Sequence, residues 1–214
     1  MGCRSEYCVI SVVEPHVVEL GKIFSEKRAE IKKNGMAYWT YRSDTDMVAE
    51  VQHLGIAALG RVPCYFLSVG KGYDPQHLTS ARRNKAETHY SVDRKTWYQL
   101  PGRVPSNSES VVCALVLDEV APRSGNWFDL WEYGNFKDPE CPVRFSRAGS
   151  TVGAVLSDTS AHPKRMKTNP RPLLAVGYLV EPYAVWLKAD DRQSQHVDYV
   201  EDGIMPTILG NIDW

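Results

Sequence analysis

The spacing of apolar residues changes near Gly70, and this change constrains the fold more than any other feature of the sequence. Before it, apolar runs of strand length alternate with segments whose apolar residues recur every three or four positions, as on one face of a helix. Gly35 supplies a stop for the first helical segment, and Ser43 or Asp44 can cap the second. We therefore predict a β-α-β-α-β order over about 6–70, with strands at 7–13, 36–41 and 62–69.

Beyond Gly70 the sequence shows short apolar runs separated by turn residues, a pattern typical of antiparallel sheets and barrels. Glu181 and Pro182 predict a turn between the last two runs. The fold class that follows is α+β, with two N-terminal helices packed on a largely antiparallel, twisted β-sheet or partial barrel. The candidate strands of this part are 88–91, 96–100, 111–120, 126–133, 151–156, 173–180 and 183–187.

The composition fits one folded domain. With 214 residues, of which 43% are hydrophobic and 24% charged, the chain has enough apolar surface for one large core. We predict a single domain over 1–214, in which the portion 6–70 is followed by a β-rich portion over about 86–188. An acidic C-terminal extension over 189–214 completes the chain.

Charge and cysteine content exclude several classes of protein. The 25 basic and 26 acidic residues give a formal net charge of -1, so no overall field would draw the chain to nucleic acid or to an anionic membrane. No apolar run reaches the roughly 18 residues of a membrane span. Five cysteines without a C-x-x-C pair, and no export signal, predict reduced thiols and a cytoplasmic protein. His196 and Asp198 lack a second histidine at metal-ligand spacing, so we expect neither a metal nor a cofactor.

The stretch HYSVDRKTWYQL, residues 89–100, predicts a β-hairpin because two arms rich in aromatic and β-branched residues flank a short charged centre. Ser91, Asp93, Thr96 and Trp97 resemble the Asp-box hairpin, Ser-x-Asp-x-Gly-x-Thr-Trp, although the turn glycine is absent and the loop is one residue shorter. The resemblance implies a structural turn, in which the aspartate accepts hydrogen bonds from loop amides and the tryptophan packs beneath. Local side-chain to backbone bonding favours this turn over a binding site.

Positive charge is concentrated in two segments. From residue 77 to 97 five cations stand against two acidic residues, and from 162 to 171 four cations occur without an acid. If both segments line one cleft, they would bind a phosphorylated ligand, because Arg and Lys neutralise phosphate. The simpler interpretation is two solvated loops, since charge runs commonly serve solubility. The residues predicted to bind phosphate are Arg82, Arg83, Lys85, Lys164, Arg165 and Lys167.

The stretch GNWFDLWEYGNF, residues 125–136, combines a strand pattern with several aromatic residues. Alternation along a strand would place Trp127, Trp131 and Tyr133 on one face and Phe128 on the other. The first face would then stack a base or a sugar. The alternative, favoured by the large area that aromatic residues bury, is that the two tryptophans belong to the core.

The predicted function is binding of a nucleotide or of single-stranded nucleic acid, with the basic segments on the phosphates and Trp97, Trp127 or Trp131 on the bases. The enzyme alternative is phosphoester hydrolysis or transfer, with His89 or His77 as general acid-base. Both histidines precede a hydroxyl residue in the form His-x-Ser/Thr, which resembles the paired motifs of two-histidine phosphoesterases. The two motifs stand too close in the chain for the two halves of that family.

A third alternative is a β-rich assembly or protein-interaction protein. Its aromatic strands and the tail ILGNIDW, with Trp214 as an anchor, would dock to other copies and give a homo-oligomer. The sequence alone leaves these three alternatives open.

Overall fold

The computed structural model describes residues 6–13, 17–41, 45–68, 85–106, 112–143, 151–157 and 170–188. Over this part of the chain it contains two α-helices, one 3-10 turn and ten strands in one sheet. The helices are α1 (Val17–Asn34) and α2 (Thr45–Ala58), and the 3-10 turn is Leu130–Glu132. The strands are β1 (Tyr7–Val13), β2 (Ala37–Tyr41), β3 (Val62–Ser68), β4 (Lys85–Ser91), β5 (Tyr98–Ser106), β6 (Val112–Asp129), β7 (Tyr133–Asn135), β8 (Asp138–Pro142), β9 (Thr151–Leu156) and β10 (Pro170–Lys188).

The strands are hydrogen-bonded in the order β2-β6-β10-β3-β1-β9-β7-β8, and β4 joins this series at β10 and also pairs with β5. Among the described pairs, β1 and β3 are parallel and the others are antiparallel. The sheet is mixed, mostly antiparallel and unclosed, and with the two helices it forms a fold that is mostly β and broadly α+β. The predicted class is confirmed at this level.

Strand β10 organises the sheet, because it pairs with β6 along one edge and with two successive strands along the other. Its residues 173–179 pair with β3, and its residues 186–188 pair with β4. The sheet therefore divides at the middle of β10. One branch continues through β3 to β8, and the other consists of β4 and β5.

The turn predicted at Glu181 and Pro182 is wrong, because β10 runs through it as one strand. β10 pairs with β6 both before and after an irregularity between Leu179 and Ala184. At this point the described part of β10 has no partner on its other edge, since β3 has ended and β4 has not begun. A proline is tolerated at such a place because its missing N–H leaves no ladder bond unmade.

Both helices contribute to the main apolar core on one face of the sheet. Phe24 of α1 lies 5.6 Å, between ring centres, from both Trp39 and Phe66. Helix α1 ends as predicted: Gly35 has a left-handed φ of 79°, and its N–H donates to the carbonyl of Ile31 at 2.8 Å. Helix α2 adds its apolar stripe to the same core.

Gly55, within α2, allows this helix to approach β10 closely. A Cβ at this position would overlap the ring of Tyr183, which itself has a left-handed φ of 63° in the irregular part of β10. On the preceding turn of α2, Gln52 donates to the backbone carbonyls of Ala184 at 2.9 Å and Val92 at 3.2 Å. Helix α2 therefore ties the irregular part of β10 to the turn between β4 and β5.

The opposite face of the sheet carries two smaller apolar clusters. One involves the branch of β4 and β5 and includes Tyr90, which stacks on Tyr98 at 5.4 Å. The other involves β1, β3, β7, β9 and the end of β6, and it includes Ile10 and Phe128. The sheet is thus packed on both faces, with a separate cluster for each branch.

Candidate functional site

Most of the residues predicted to bind phosphate lie outside the described part of the chain. These are Arg82, Arg83, Lys164, Arg165 and Lys167, and the candidate general acid-base His77 also lies outside it. Lys85 is the first residue of β4, and of this residue the structure describes the backbone only. The shared cleft between the two basic segments therefore stays a prediction, although the strands show where each segment is tethered.

The two basic segments are tethered at opposite ends of β10. The second segment leads into Pro170, the first residue of β10, whereas Arg82 and Arg83 stand three and two residues before Lys85 of β4. Strand β4 meets β10 only at its far end, with His89 paired to Lys188. At about 3.3 Å per residue, the two ends of β10 are up to roughly 60 Å apart along the strand. We call residues 170–173 of β10 with residues 126–129 of β6 the entry end, and residues 186–188 of β10 with β4 and β5 the hairpin end.

Trp127 is the large exposed side chain of the entry end. It lies on β6 opposite Pro172 of β10, and 67% of its surface is exposed. The next residue, Phe128, is buried, with ring-centre distances of 4.5 Å to Tyr65 and 5.2 Å to Tyr133. The core interpretation of Trp127 is therefore wrong, because strand alternation places its neighbour in the core and leaves Trp127 outside.

The 3-10 turn after β6 breaks the aromatic face that strict alternation predicted. Asp129 caps this turn by accepting the backbone N–H of Trp131 at 3.0 Å. As a result Trp131 is half-buried, and Tyr133, which was expected beside Trp127, is buried. The exposed aromatic surface of this region is Trp127, with Trp131 as a less accessible neighbour in sequence.

The hairpin end contains the turn between β4 and β5, and the turn interpretation of this stretch is confirmed. The Asp93 carboxylate accepts hydrogen bonds from the backbone of Lys95 at 2.8 Å and Thr96 at 3.0 Å, and from the Ser91 hydroxyl at 3.0 Å. Burial raises the pKa of Asp93, but these hydrogen bonds and the charge of Lys95 outweigh it, so that the pKa lies below its usual value. Arg94 has a left-handed φ of 63°, a conformation that glycine adopts without strain.

His89 and Trp97 are brought together at the hairpin end. His89 is 5% exposed, is paired with Lys188 of β10, and has its Nδ1 3.0 Å from the hydroxyl of the preceding threonine. Trp97 is half-buried against the main core, and the Lys188 ammonium lies 4.5 Å from the centre of its ring. A base could stack on that face of Trp97 only by displacing the lysine. Both residues are separated by the length of β10 from Trp127.

Sequence reasoning missed Lys188, which belongs to no motif. The available signal was its alternation with Trp186, which places both side chains on one face of β10. The Arg94 guanidinium carbon lies 5.4 Å from the centre of the Trp186 ring. Two cations therefore lie over two tryptophans at the hairpin end.

Within the described residues, no group of three or more His, Cys, Asp or Glu side chains is placed to hold a metal ion. None of the described helices is long and apolar enough to cross a membrane. No protein-family model matches the chain, and neither the curated proteins nor the solved structures contain a match to it.

Proposed function

We propose that the protein binds a nucleotide or single-stranded nucleic acid, with its base on Trp127 at the entry end of the sheet. The observation that carries this proposal is the exposure of Trp127, at 67% of its surface, beside a buried neighbour on the same strand. An exposed indole on a fixed strand is a platform for a base, and such stacking contributes about 1–3 kcal/mol per base.

The strand that carries Trp127 is held in place by the residues before and after it. Its neighbours Asn126 and Phe128 both pair with β10, to Leu173 and Arg171. The Phe128 ring also stacks on a buried tyrosine, with 19° between the ring planes. A platform fixed in this way has little conformational freedom to lose when a base binds, and this favours affinity.

The tethering of the basic segments favours an extended ligand over a compact one. Lys164, Arg165 and Lys167 shortly precede the entry end, whereas Arg82 and Arg83 are tethered to the hairpin end. A single strand that stacks on Trp127 can extend along β10 to the hairpin end, whereas a mononucleotide covers one end only. We therefore put single-stranded nucleic acid first and a nucleotide second.

The test is a titration of labelled oligothymidylate and of a nucleotide panel at two salt concentrations. We expect oligothymidylate to bind. A plot of the logarithm of its affinity against the logarithm of the salt concentration should have a slope of about −0.7 per phosphate contact. Trp127→Ala should weaken binding by roughly 5- to 150-fold, which corresponds to the loss of one stacked base. Leu59→Ala removes another exposed apolar side chain, 91% exposed at the end of α2, and should leave binding unchanged.

Two results would contradict the proposal. Absence of binding to every oligonucleotide and nucleotide would remove it altogether. Equal affinities for the wild type and for Trp127→Ala would show that any binding occurs elsewhere. The burial of His89 within the sheet does not favour the phosphoester hydrolase alternative, in which this histidine is the general acid-base. Trp214, the anchor of the assembly alternative, lies outside the described residues.

A further inference from the structure

Three cation–π pairs occur among the described residues, and they differ in how the cation is neutralised. Two of them lie at the hairpin end and one lies near the start of β3. The pairs are Arg94 over Trp186 at 5.4 Å, Lys188 over Trp97 at 4.5 Å, and Arg61 over Tyr178 at 4.5 Å.

Arg61 already has two anionic partners. Its Nη2 donates to the carboxylates of Asp118 at 2.7 Å and Glu119 at 2.9 Å. Arg94 and Lys188, in contrast, form no ion pair with any carboxylate of the described part. The acid of the turn, Asp93, is occupied by backbone amides and a serine hydroxyl. Within the described residues, the two cations of the hairpin end therefore have no carboxylate partner of the kind that Arg61 has.

The two cations of the hairpin end lie on one face of the sheet. Trp186 and Lys188 alternate along β10, so their side chains leave the strand on the same side. Trp97 and Trp186 both pack against the main core, which fixes the two rings over which the cations lie. Two cations over rings of the same core give this face a local positive charge, and this charge attracts an anion.

The backbone of Arg94 gives an independent indication. Its left-handed φ of 63° disfavours a side chain, and glycine occupies the turn of the Asp-box pattern that this hairpin resembles. A left-handed conformation at a residue other than glycine is compatible with a function of its side chain.

We propose that Arg94 and Lys188 form a binding site for a phosphate group. Phosphate fits because its charge matches two separate cations and because a guanidinium donates two parallel hydrogen bonds to its oxygens. The group comes either from a free phosphate monoester or from the backbone of a nucleic acid strand. This inference stands on the hairpin end alone and does not depend on Trp127.

The experiment follows the indole N–H signals of the full-length chain by NMR while inorganic phosphate, adenosine monophosphate or oligothymidylate is added at constant ionic strength. We expect saturable shifts of the Trp97 and Trp186 signals.

Arg94→Gly removes the guanidinium and relieves the backbone strain, so the variant should fold, and Lys188→Met keeps the length of the side chain. Each substitution should weaken binding by roughly 10- to 100-fold, as expected for loss of a charged hydrogen bond. Arg61→Gln, at the neutralised pair, is the matched control and should bind as the wild type does.

Shifts with inorganic phosphate or the monophosphate would identify a free phosphate monoester as the ligand. Shifts with oligothymidylate alone would identify the nucleic acid backbone. The proposal is overturned if the two signals stay in place with all three ligands, or if they still shift in the variant that carries both substitutions. Trp127→Ala distinguishes this site from the entry end, because it should leave the phosphate-induced shifts unchanged.

Discussion

The two ends of strand β10 differ in how firmly other elements hold them. Next to the hairpin end, α2 packs Gly55 against Tyr183, and its Gln52 donates to the carbonyls of Ala184 and of Val92 in the β4–β5 turn. The two tryptophans of the hairpin end lie against the main core. At the entry end, β10 pairs with β6 and β3, and Trp127 is left on the surface. The difference teaches that the tryptophans at the two ends have different roles: those at the hairpin end stabilise the fold, and Trp127 is available to a ligand.

The contact of Gly55 with Tyr183 gives the largest expected effect on stability. Gly55→Ala should lower the free energy of unfolding by about 1–3 kcal/mol, because the new methyl group must displace the tyrosine ring. The matched control is Gly21→Ala in α1, where a Cβ would have no neighbour within 4 Å. It should raise the free energy of unfolding by up to about 1 kcal/mol, as alanine is the better helix former. Urea denaturation measures both, and a stabilised Gly55→Ala would show that α2 does not clamp the hairpin end.

Substitution of one tryptophan at each end of β10 gives the next largest effect on the free energy of unfolding. Trp97→Leu should lower the free energy of unfolding by roughly 1–2 kcal/mol, less than for a fully buried tryptophan, because the ring is half-buried. Trp127→Leu should change it by no more than about 0.5 kcal/mol, since its ring is mostly exposed. Thermal and urea unfolding of the two variants compare the ends directly. Equal losses would mean that Trp127 also supports the fold, and the contrast between the ends would fail.

The elements that the sequence predicted well are those fixed by local interactions. Helix α1 ends at Gly35 because a left-handed glycine closes the helix within one turn. The β4–β5 turn forms because Asp93 satisfies amides two and three residues further along the chain. Both features depend on neighbours in sequence, so residue pattern alone indicates them.

The features that the sequence did not predict depend on distant partners. Pro182 reads as a break, yet β10 continues because β6 pairs with it on both sides of the irregularity. Gly55 has a low helix propensity within α2, and only the position of the Tyr183 ring explains why glycine stands there. The burial of Tyr133, which alternation placed beside Trp127, follows from a 3-10 turn after β6 whose effect is not visible in the pattern of apolar residues. Long-range pairing of this kind overrides local preference.

The turn at the hairpin end gives the smallest effect, and it depends on pH. The pKa of Asp93 is lower in the folded chain than its usual value. Its ionised form therefore contributes to the stability of the fold above the pKa of the unfolded chain, about 3.9. This contribution is lost as the pH falls through the pKa of the folded chain. Asp93→Asn should therefore cost about 1 kcal/mol at neutral pH, a small effect because solvent screens an exposed carboxylate. Urea denaturation of both proteins between neutral pH and pH of about 3 should show the difference between them shrinking below pH of about 4. Equal stabilities of the two proteins at neutral pH would mean that the turn needs only an acceptor oxygen, which asparagine also supplies, and that the charge of Asp93 plays no part in holding the hairpin end.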